Sequence, residues 1–521
     1  MFVWLSRSVY QAELSSAFLV AAILATWLVL WRVWRFTVRP YLRPQDPKEL
    51  PYWIPCHALS FFQNSDKLIE RGLDFTRRTH EPFALQVGFN KFYIVTGPRD
   101  VAEVYRKVST LNWDGHLTQV LTNFGFKGSA LDLAWHKPIP GEKCYVHKNP
   151  VNPKQLPLIK VIEEIYIAQL LPGIHMTEMS SQFIKSLKDS IHPSNLDFCT
   201  LQMNGRNRRV SLRNLARYTL VEAATFSMFG HTLHRLNPDI VQNMLDFNDQ
   251  AWMVFFGLPE MFSSKVAKAR RTMTETMKQF ANLPEIERVG QAWGIQQVLK
   301  AQETVGIDID SRACMLLLIF WAANSNEYNI TFWLIAHLVS NSTLLEQVKA
   351  EIEMGWKDGE LDIKHLCANA PTLDGAFHES LRLNGGAMMS RKVLEPTMIG
   401  DKLLQAGTNV LMPSRQLHMN EQVWGDDYKH FNSRRFIEDK GLLKHSSYRP
   451  FGGGVSYCPG RVMAKEQVYA FIAILFRRFD VKLAQGLDQK FPVLDESTPS
   501  LGITGPVKNM DVLMDLTEKS Y

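Results

Sequence analysis

The sequence is poor in the features that mark several common protein classes. Its 521 residues contain six cysteines and no Cys-x-x-Cys pair, which argues against a zinc ribbon, and its length excludes a small disulfide scaffold. The net charge is only +6. The first 48 residues hold six Lys or Arg against two Asp or Glu, and the rest of the chain holds 52 against 50. A nearly neutral body argues against nucleic acid as the main partner.

Other motifs are missing as well. A mean hydropathy of −0.14 excludes a multi-spanning transporter. The chain shows no repeat, no low-complexity tract and no Gly-rich fingerprint for a flavin or nicotinamide cofactor. What it has is a globular composition, with 46% hydrophobic residues. Its scattered cysteines predict a reducing compartment and free thiols.

One long apolar run stands near the N-terminus. Leu14–Trp31 is 18 residues long and uncharged, and Trp27, Trp31 and Trp34 crowd its end. At a rise of about 1.5 Å per residue, such a helix matches the hydrocarbon thickness of a bilayer. The arginines that follow place that end in the cytosol. A cleaved signal peptide is the alternative, but no small-residue cleavage site follows the run.

A proline-rich stretch follows the run. Prolines at 40, 44, 47, 51 and 55 predict a stiff connector that stops the helix. We therefore expect a membrane anchor over residues 1–36, a linker over 37–55 and one catalytic domain over 56–521.

The body is predicted to be mainly α with a minor β portion. The alternating segment Leu85–Thr96 indicates a β-hairpin ending at Gly97-Pro98, and strand-like pieces return over 391–412. Helical patterns cover the ranges 157–191, 211–230, 238–256, 264–281, 310–340, 343–356, 371–384 and 460–478.

The helix over 310–340 is apolar on nearly every face, yet four polar residues, Asn324 to Glu327, interrupt it. Unpaired buried polar groups cost about 1–3 kcal/mol each, so something polar must meet them. A second membrane span is the plain alternative, but the polar break near the middle argues against it.

The most informative stretch is a glycine-rich loop that ends in a cysteine. Residues 449–461 read RPFGGGVSYCPGR and lead into an apolar helix. Three glycines allow the backbone to approach something flat, and the helix N-terminus favours a thiolate at Cys458. One cysteine does not complete a zinc site, but it suits the single axial ligand of haem. A buried cysteine in a turn is the alternative, and a phosphate loop lacks its Gly-Lys-Ser/Thr ending.

This pattern, Phe-Gly-x-Gly-x-x-x-Cys-x-Gly, resembles the cytochrome P450 haem-thiolate monooxygenases, and the resemblance covers almost the whole chain. It implies the cytochrome P450 fold behind one transmembrane helix. It makes Cys458 the haem-iron ligand and Phe451 the residue that packs near the sulfur. It also places Gly452 and Gly460 against the haem.

Two further elements carry the resemblance. Glu379 and Arg382 stand three residues apart on a predicted helix, and Arg435 belongs to a Phe-x-x-x-Arg-Phe segment. Alone, such a pair is usually a weak surface salt bridge. The family places all three inside, as a structural core behind the haem.

The distal helix departs from the family pattern, in which an acid and an alcohol relay protons during oxygen activation. Here Asn326 stands at the acid position and Glu327 at the alcohol position. Our hypothesis is that both order water and that Glu327 delivers protons. The alternative is that Glu327 points away into a salt bridge. The stretch from Trp321 to Trp333 is nearest the branch of sterol 7-hydroxylases and prostacyclin synthase.

Contacts to the haem propionates also differ from the family. Ser456 replaces the usual Arg two residues before the cysteine, and Trp135 is not followed by the usual Arg. Arg391 matches a family propionate contact. His418 and Lys148 are weaker candidates.

The resemblance implies partners. Because the body lacks a flavin site, electrons from NADPH must arrive through a separate cytochrome P450 reductase. Arg449, Arg461 and Lys465 flank the cysteine and suggest a basic docking patch, although such charges are often only solvated. The anchor implies the endoplasmic reticulum membrane, with a cytosolic catalytic domain.

Family position predicts a substrate pocket of mainly apolar residues, which suits a steroid, terpenoid or indole product of specialised metabolism. Its parts are residues 111–126, Trp321, Ala322, Ala323, Met388, Met389 and the segment 501–504 with Ile503.

Three functions stay open: a monooxygenase, a haem-thiolate isomerase or dehydratase that needs no reductase, and a non-catalytic haem protein. The missing alcohol motivates the second.

Overall fold

The computed structural model describes residues 2–53, 56–139, 141, 154–486 and 488–519, with side chains from Phe18 onward. Cys144 and Lys148 lie outside the described residues. The chain divides into two compact units. The first comprises the chain up to Asn112 with residues 390–412, and the second comprises residues 113–389 and the chain from Pro413 onward. The predicted boundaries of anchor, linker and catalytic domain stay a prediction.

The first unit contains a six-stranded sheet. The predicted hairpin is confirmed: its two strands pair antiparallel, and Gly88 takes a positive φ of 58° in the turn between them. The predicted strands over 391–412 are also present. In spatial order the strands are Lys48–Glu49, Phe83–Val87, Asn90–Ile94, Asn409–Pro413, Met388–Val393 and Leu111–Asn112.

Two short strands form a separate hairpin, Thr397–Ile399 with Lys402–Leu404. The short helices of this unit are Ala58–Gln63, Ser65–Phe75 and Pro98–Arg106. The last of these begins at the proline that was predicted to end the first hairpin.

The N-terminal helix is longer than its sequence predicts. It runs over Phe2–Val33, widens into a π turn at Trp34–Val38 and continues over Arg39–Leu42. Its part from Phe18 to Leu42 is long and apolar enough to cross a membrane. The prediction that proline stops the helix from residue 37 is wrong at Pro40. The Arg39 N–H bonds the Trp34 carbonyl five residues back, and this wider turn admits a residue without an N–H.

The end of this helix is fastened to the chain that follows it. Arg35 Nη2 lies 2.8 Å from Glu49 Oε1, and Glu49 is buried. Arg32 donates to the Tyr52 carbonyl and stacks 4.2 Å above the Trp53 ring. We call these five residues the anchor latch. Much of the predicted linker is therefore ordered structure.

The second unit is mainly helical around one hydrophobic core. A four-stranded antiparallel sheet has the order Phe479–Leu483, Leu513–Glu518, Asn207–Ser211 and Thr200–Asn204, and Trp356–Lys357 pairs with Glu360–Leu361. Its α-helices are Asp114–Phe124, Gly128–Trp135, Leu158–Leu170, Ile174–Ser190, Leu212–Phe229, Thr232–Leu236, Ile240–Asn248, Ala251–Phe255, Ser264–Asn282, Trp293–Val305, Ile309–Asn324, Glu327–Val339, Ser342–Met354, Ile363–Asn369, Pro371–Asn384, Ser414–His418, Glu421–Trp424, Arg435–Glu438 and Arg461–Arg478.

Most predicted helices are confirmed, but three of them are broken. The range 157–191 divides at Pro172-Gly173, because proline lacks the N–H that the helix ladder requires. The range 238–256 divides after Asn248.

The third break divides 310–340 into a first central helix, Ile309–Asn324, and a second central helix, Glu327–Val339. Polar side chains replace the helix ladder at the break. The Asn324 amide donates to the Phe320 carbonyl at 2.9 Å, and the Asn248 amide donates to the Ser325 carbonyl at 3.3 Å. The four polar residues therefore interrupt the helix as well as its apolar surface.

Candidate active site

The cysteine loop, residues 449–460, is closed by its own backbone. The Cys458 N–H donates to the Phe451 carbonyl at 3.1 Å, and the Phe451 side chain packs against the core. Gly452 and Gly454 take positive φ angles of 76° and 60°. A methyl group on Gly452 would lie 3.2 Å from Met389 Sδ. These glycines let the loop turn sharply before the helix that starts at Arg461.

The sulfur of Cys458 lies where two effects oppose each other. Burial raises the pKa of the thiol, while the backbone N–H of Gly460 and the charge and backbone N–H of Arg461 lower it. The carboxylate of Glu327 raises this pKa further, so Glu327 acts electrostatically on the sulfur. Burial has the larger effect, so the pKa of the thiol is raised in the protein alone, and the thiolate at Cys458 stays a prediction. A cation on the sulfur reverses that balance.

The donor set fits haem. Among the described residues, no group of three or more His, Cys, Asp or Glu side chains is arranged to hold a metal ion. A site with one thiolate therefore suits a metal that brings its other donors in a macrocycle. Ala322 supports this fit, because it is exposed although it belongs to a helix whose neighbours are mostly buried. Cys458 would ligate the iron, with Gly452 and Gly460 in the loop around it.

Glu327 begins the second central helix. Its Oε2 atom is buried and has no hydrogen-bond partner, and Glu327 forms no ion pair with any described residue. The alternative of a salt bridge is therefore not realised in the described chain. Burial raises the pKa of Glu327 to about 7, while its own N–H and that of Asn326 lower it. A carboxyl group in this state can carry a proton near neutral pH.

A narrow crevice, too tight to admit a water molecule, lies beside Glu327. The side chains of Asn324 and Gln467 line it, together with apolar residues. Asn324 Oδ1 is a second buried acceptor without a partner. Polar groups therefore continue from Glu327 toward the helix that follows Cys458.

The structure brings Glu379, Arg382 and Arg435 together. Arg382 donates to both oxygens of Glu379 at 2.8 and 2.7 Å, and both side chains are fully buried. Arg435 Nε lies 3.5 Å from the same carboxylate and pairs with Asp427 at 2.8 Å. Arg382 also donates to the His418 carbonyl at 2.9 Å, so this cluster braces the chain before the cysteine loop.

Comparison with known proteins agrees with this geometry. The family model of cytochrome P450 matches residues 201–506. The chain belongs to the cytochrome P450 family. Its relatives include cytochrome P450 monooxygenase poxD of Penicillium oxalicum, 23% identical over 495 residues, which are 92% of this chain and 95% of that protein.

Two other relatives extend the comparison. A cytochrome P450 monooxygenase of Gibberella zeae is 25% identical over 472 residues, 86% of this chain and 82% of that protein. Cytochrome P450 7A1 of Oryctolagus cuniculus is 24% identical over 322 residues, 56% of this chain and 64% of that protein. The second match agrees with the predicted branch. The predicted fold and the assignment as a cytochrome P450 monooxygenase are confirmed.

Two of the residues predicted to contact the haem propionates, His418 and Arg391, belong to different units of the chain. His418 is fully buried, its Nε2 accepts from the Arg449 N–H at 3.0 Å, and burial lowers its pKa to about 3. His418 thus accepts a hydrogen bond from the first residue of the cysteine loop, and its propionate contact stays a prediction. Arg391 belongs to the first unit, where it is buried, donates to the Ser390 carbonyl and lies 5.0 Å from the Tyr105 ring.

The predicted pocket residues of the second unit differ in exposure. Trp321 is buried, and its indole N–H donates to Asn248 Oδ1 at 2.7 Å. The half-buried members are Ala323, Met388, Met389 and Ile503. Asn248 is a residue that the sequence did not single out, since it lies 73 positions before Trp321 and matches no motif.

In the predicted docking patch of Arg449, Arg461 and Lys465, part of the positive charge is already neutralised by an acidic side chain. Lys465 Nζ lies 2.5 Å from Asp374 Oδ1, so this lysine is already paired. The Arg461 guanidinium stacks 4.3 Å above the Tyr457 ring and donates to the Cys458 carbonyl at 2.9 Å. Arg461 therefore supports the cysteine loop from its outer side.

Asn326 has a role that the sequence did not predict. Its Oδ1 accepts from the Ile503 N–H at 2.8 Å, and its Nδ2 donates to Ser325 Oγ at 2.9 Å. Both ends of the amide are thus bonded to protein. The predicted part of Asn326 in ordering water stays a prediction.

Proposed function

We propose that this P450 is a membrane-anchored haem-thiolate monooxygenase that inserts one oxygen atom from O2 into a lipophilic small molecule. A terpenoid, steroid or indole-type scaffold from specialised metabolism is the proposed substrate class. The observation that carries this proposal is Cys458, which ends a glycine-turned loop closed by its own backbone and stands directly before the helix Arg461–Arg478. The relatives from Penicillium and Gibberella that are named monooxygenases support oxygen insertion.

When bound, haem supplies the activation of O2 that places one oxygen atom in the substrate and the other in water. The chain's own residues prepare the site. Cys458 would ligate the iron, and the glycines of its loop would allow the haem to approach the backbone closely. Glu327 holds a proton at its carboxyl group, while Met388, Met389 and Ile503 offer apolar surface and exclude water.

We further propose that NADPH reaches the site through a cytochrome P450 reductase and that the catalytic domain lies on the cytosolic side of the endoplasmic reticulum membrane. The helix from Phe18 to Leu42 supports membrane anchoring. The outer face of the cysteine loop, with Arg449 and the exposed Val455, is the proposed contact for the reductase.

The test is expression of the full chain together with a reductase. We expect the absorption band that the reduced CO complex shows with a thiolate ligand, and its loss in Cys458→Ala. The matched control is Cys367→Ala, which removes a half-buried thiol elsewhere and should keep the band.

Turnover is tested with lipophilic extracts and isotope-labelled O2. We expect products that gain one labelled oxygen atom only when NADPH is supplied. Conversion of a hydroperoxide without NADPH would instead identify an isomerase or dehydratase. A spectral response to lipophilic compounds without any product would identify a non-catalytic haem protein.

A further inference from the structure

The short segment 500–505 is held by backbone and side-chain bonds from two directions. From one side, the second central helix contributes Asn326, Asn329 and Trp333, which are three or four residues apart and lie along one face. Asn329 donates to the Ile503 carbonyl at 3.1 Å, and the Trp333 indole donates to the Thr504 carbonyl at 2.8 Å.

From the other side, the chain after Glu379 and Arg382 holds the same segment. The Gly386 N–H donates to the Gly502 carbonyl at 2.8 Å, and the Thr504 N–H donates to the Asn384 carbonyl at 2.9 Å. Two rigid elements of the second unit thus fix the backbone around Ile503.

Of these three side chains, Asn326 is the one next to Glu327 in the sequence. Its contact with the segment replaces the hydrogen bond by which it would cap its own helix. It occupies the N-cap position of the second central helix, where an asparagine ordinarily accepts an N–H of its own helix. Its side chain makes no such cap. Oδ1 accepts from the Ile503 N–H instead.

The space around this bond admits no side chain on Gly502. A methyl group there would lie 1.9 Å from Asn326 Oδ1, which is far inside van der Waals contact. Asn326 and Gly502 therefore fit each other, and each restricts what the other position can be.

We propose that Asn326 is a positioning residue that fixes Ile503 relative to Glu327 and thereby determines which bulky substrates fit beside the haem. This inference rests on the proposed function, because it places a haem and a substrate in the site. Asn326 is adjacent in the chain to Glu327 and bonded to the backbone of Ile503. A shift of the segment 500–505 therefore changes the distance between Ile503 and the carboxyl group of Glu327.

The test uses two nitrogen ligands of haem iron as probes, imidazole and 4-phenylimidazole, with the purified full-length haem protein. Absorbance titration gives a dissociation constant for each. In Asn326→Ala we expect that of 4-phenylimidazole to rise about tenfold, because one positioning hydrogen bond is lost. We expect imidazole, which is too small to reach Ile503, to bind Asn326→Ala with the same dissociation constant as the wild type.

Two further variants serve as rescue and control. Asn326→Asp keeps an oxygen that can accept from the Ile503 N–H, so it should retain the wild-type ratio of the two constants. Asn369→Ala removes an exposed amide on another helix and should change neither constant. An unchanged ratio in Asn326→Ala, in protein with a normal reduced-CO band, would overturn the inference.

The close contact between Asn326 and Gly502 allows an independent test. Gly502→Ala alone should weaken 4-phenylimidazole binding through the clash with Asn326. Adding Asn326→Ala removes the clashing oxygen, so the double variant should bind this probe more tightly than Gly502→Ala does. Purely additive losses would contradict the proposal. A wild-type protein without the thiolate band would contradict the proposed function instead.

Discussion

At the scale of single residues, Glu327 has one buried carboxylate oxygen without a hydrogen-bond partner. A buried carboxylate normally has a partner, because an unpaired charge in a protein interior is costly. The Oε2 atom of Glu327 has none, and burial raises its pKa to about 7. The cost is explained if the group transfers protons during the reaction.

Glu327→Gln should uncouple the reaction, since the amide keeps the shape of the side chain but carries no transferable proton. We expect product formed per NADPH consumed to fall about tenfold or more. Because the pKa is raised to about 7, the protonated form declines above pH 7. Coupling in the wild type should therefore decrease as the pH rises through 7, and it should be flat in Glu327→Gln.

The control for this measurement is Glu346→Gln, which changes an exposed carboxylate on a distant helix. Product yield per NADPH is measured from pH 6 to pH 8 for all three proteins. Equal coupling in Glu327→Gln and the wild type would assign proton delivery to another group.

At the scale of elements, the N-terminal helix and the first sheet are joined by the anchor latch. Its ion pair joins the half-buried Arg35 to the buried Glu49, which belongs to the edge strand Lys48–Glu49. The exposed Lys48 stands directly before Glu49 in this strand. We expect the latch to protect this part of the chain from proteolysis.

Arg35→Gln should loosen the connection, because Glu49 loses its charged partner. Trypsin should then cleave after Lys48 about fivefold faster in the detergent-solubilised full chain, corresponding to about 1 kcal/mol of lost local stability. Arg434→Gln, which breaks an exposed ion pair within a short helix, should leave the rate unchanged. No acceleration in Arg35→Gln would show that the ion pair does not hold the helix.

At the scale of the whole molecule, stability comes from burial and not from covalent cross-links. The five described cysteines are free, as predicted, and the reducing compartment stays a prediction. Burial also keeps several histidines neutral. It lowers the pKa of His337 to about 3, of His378 to about 4 and of His418 to about 3. In the unfolded chain each of them titrates at about 6.5.

The protein should therefore lose stability as the pH falls below about 6.5, because the unfolded state then binds protons that the folded state does not. The loss at pH 5 is about 2 kcal/mol for each histidine. His337→Phe should reduce the acid sensitivity, since phenylalanine keeps the stacking on Phe431 at 3.8 Å without titrating.

Urea unfolding at pH 7.5 and pH 5, followed by circular dichroism, measures this effect. His430→Gln, at an exposed site, should show the same acid sensitivity as the wild type. An equal loss in His337→Phe and the wild type would mean that other groups cause the acid instability.

The sequence alone determined the parts of this protein that short patterns encode. The loop around Cys458, the pair Glu379 and Arg382, and the apolar N-terminal helix are each contained in a few consecutive residues. Their chemistry requires particular residue types at particular spacings. The family, the main helices and the first hairpin follow from such local patterns.

Only the tertiary structure decided how distant residues meet. Asn326 accepts a bond from Ile503 across 177 positions, Asn248 reaches Trp321 across 73, and Arg35 meets Glu49 beyond a proline-rich stretch. No residue spacing in the sequence predicts these pairs, because each depends on how the folded chain brings two distant segments together. The pairing of Lys465 with Asp374 and the broken central helix are of the same kind. Burial and long-range packing, which the local pattern does not contain, determine them.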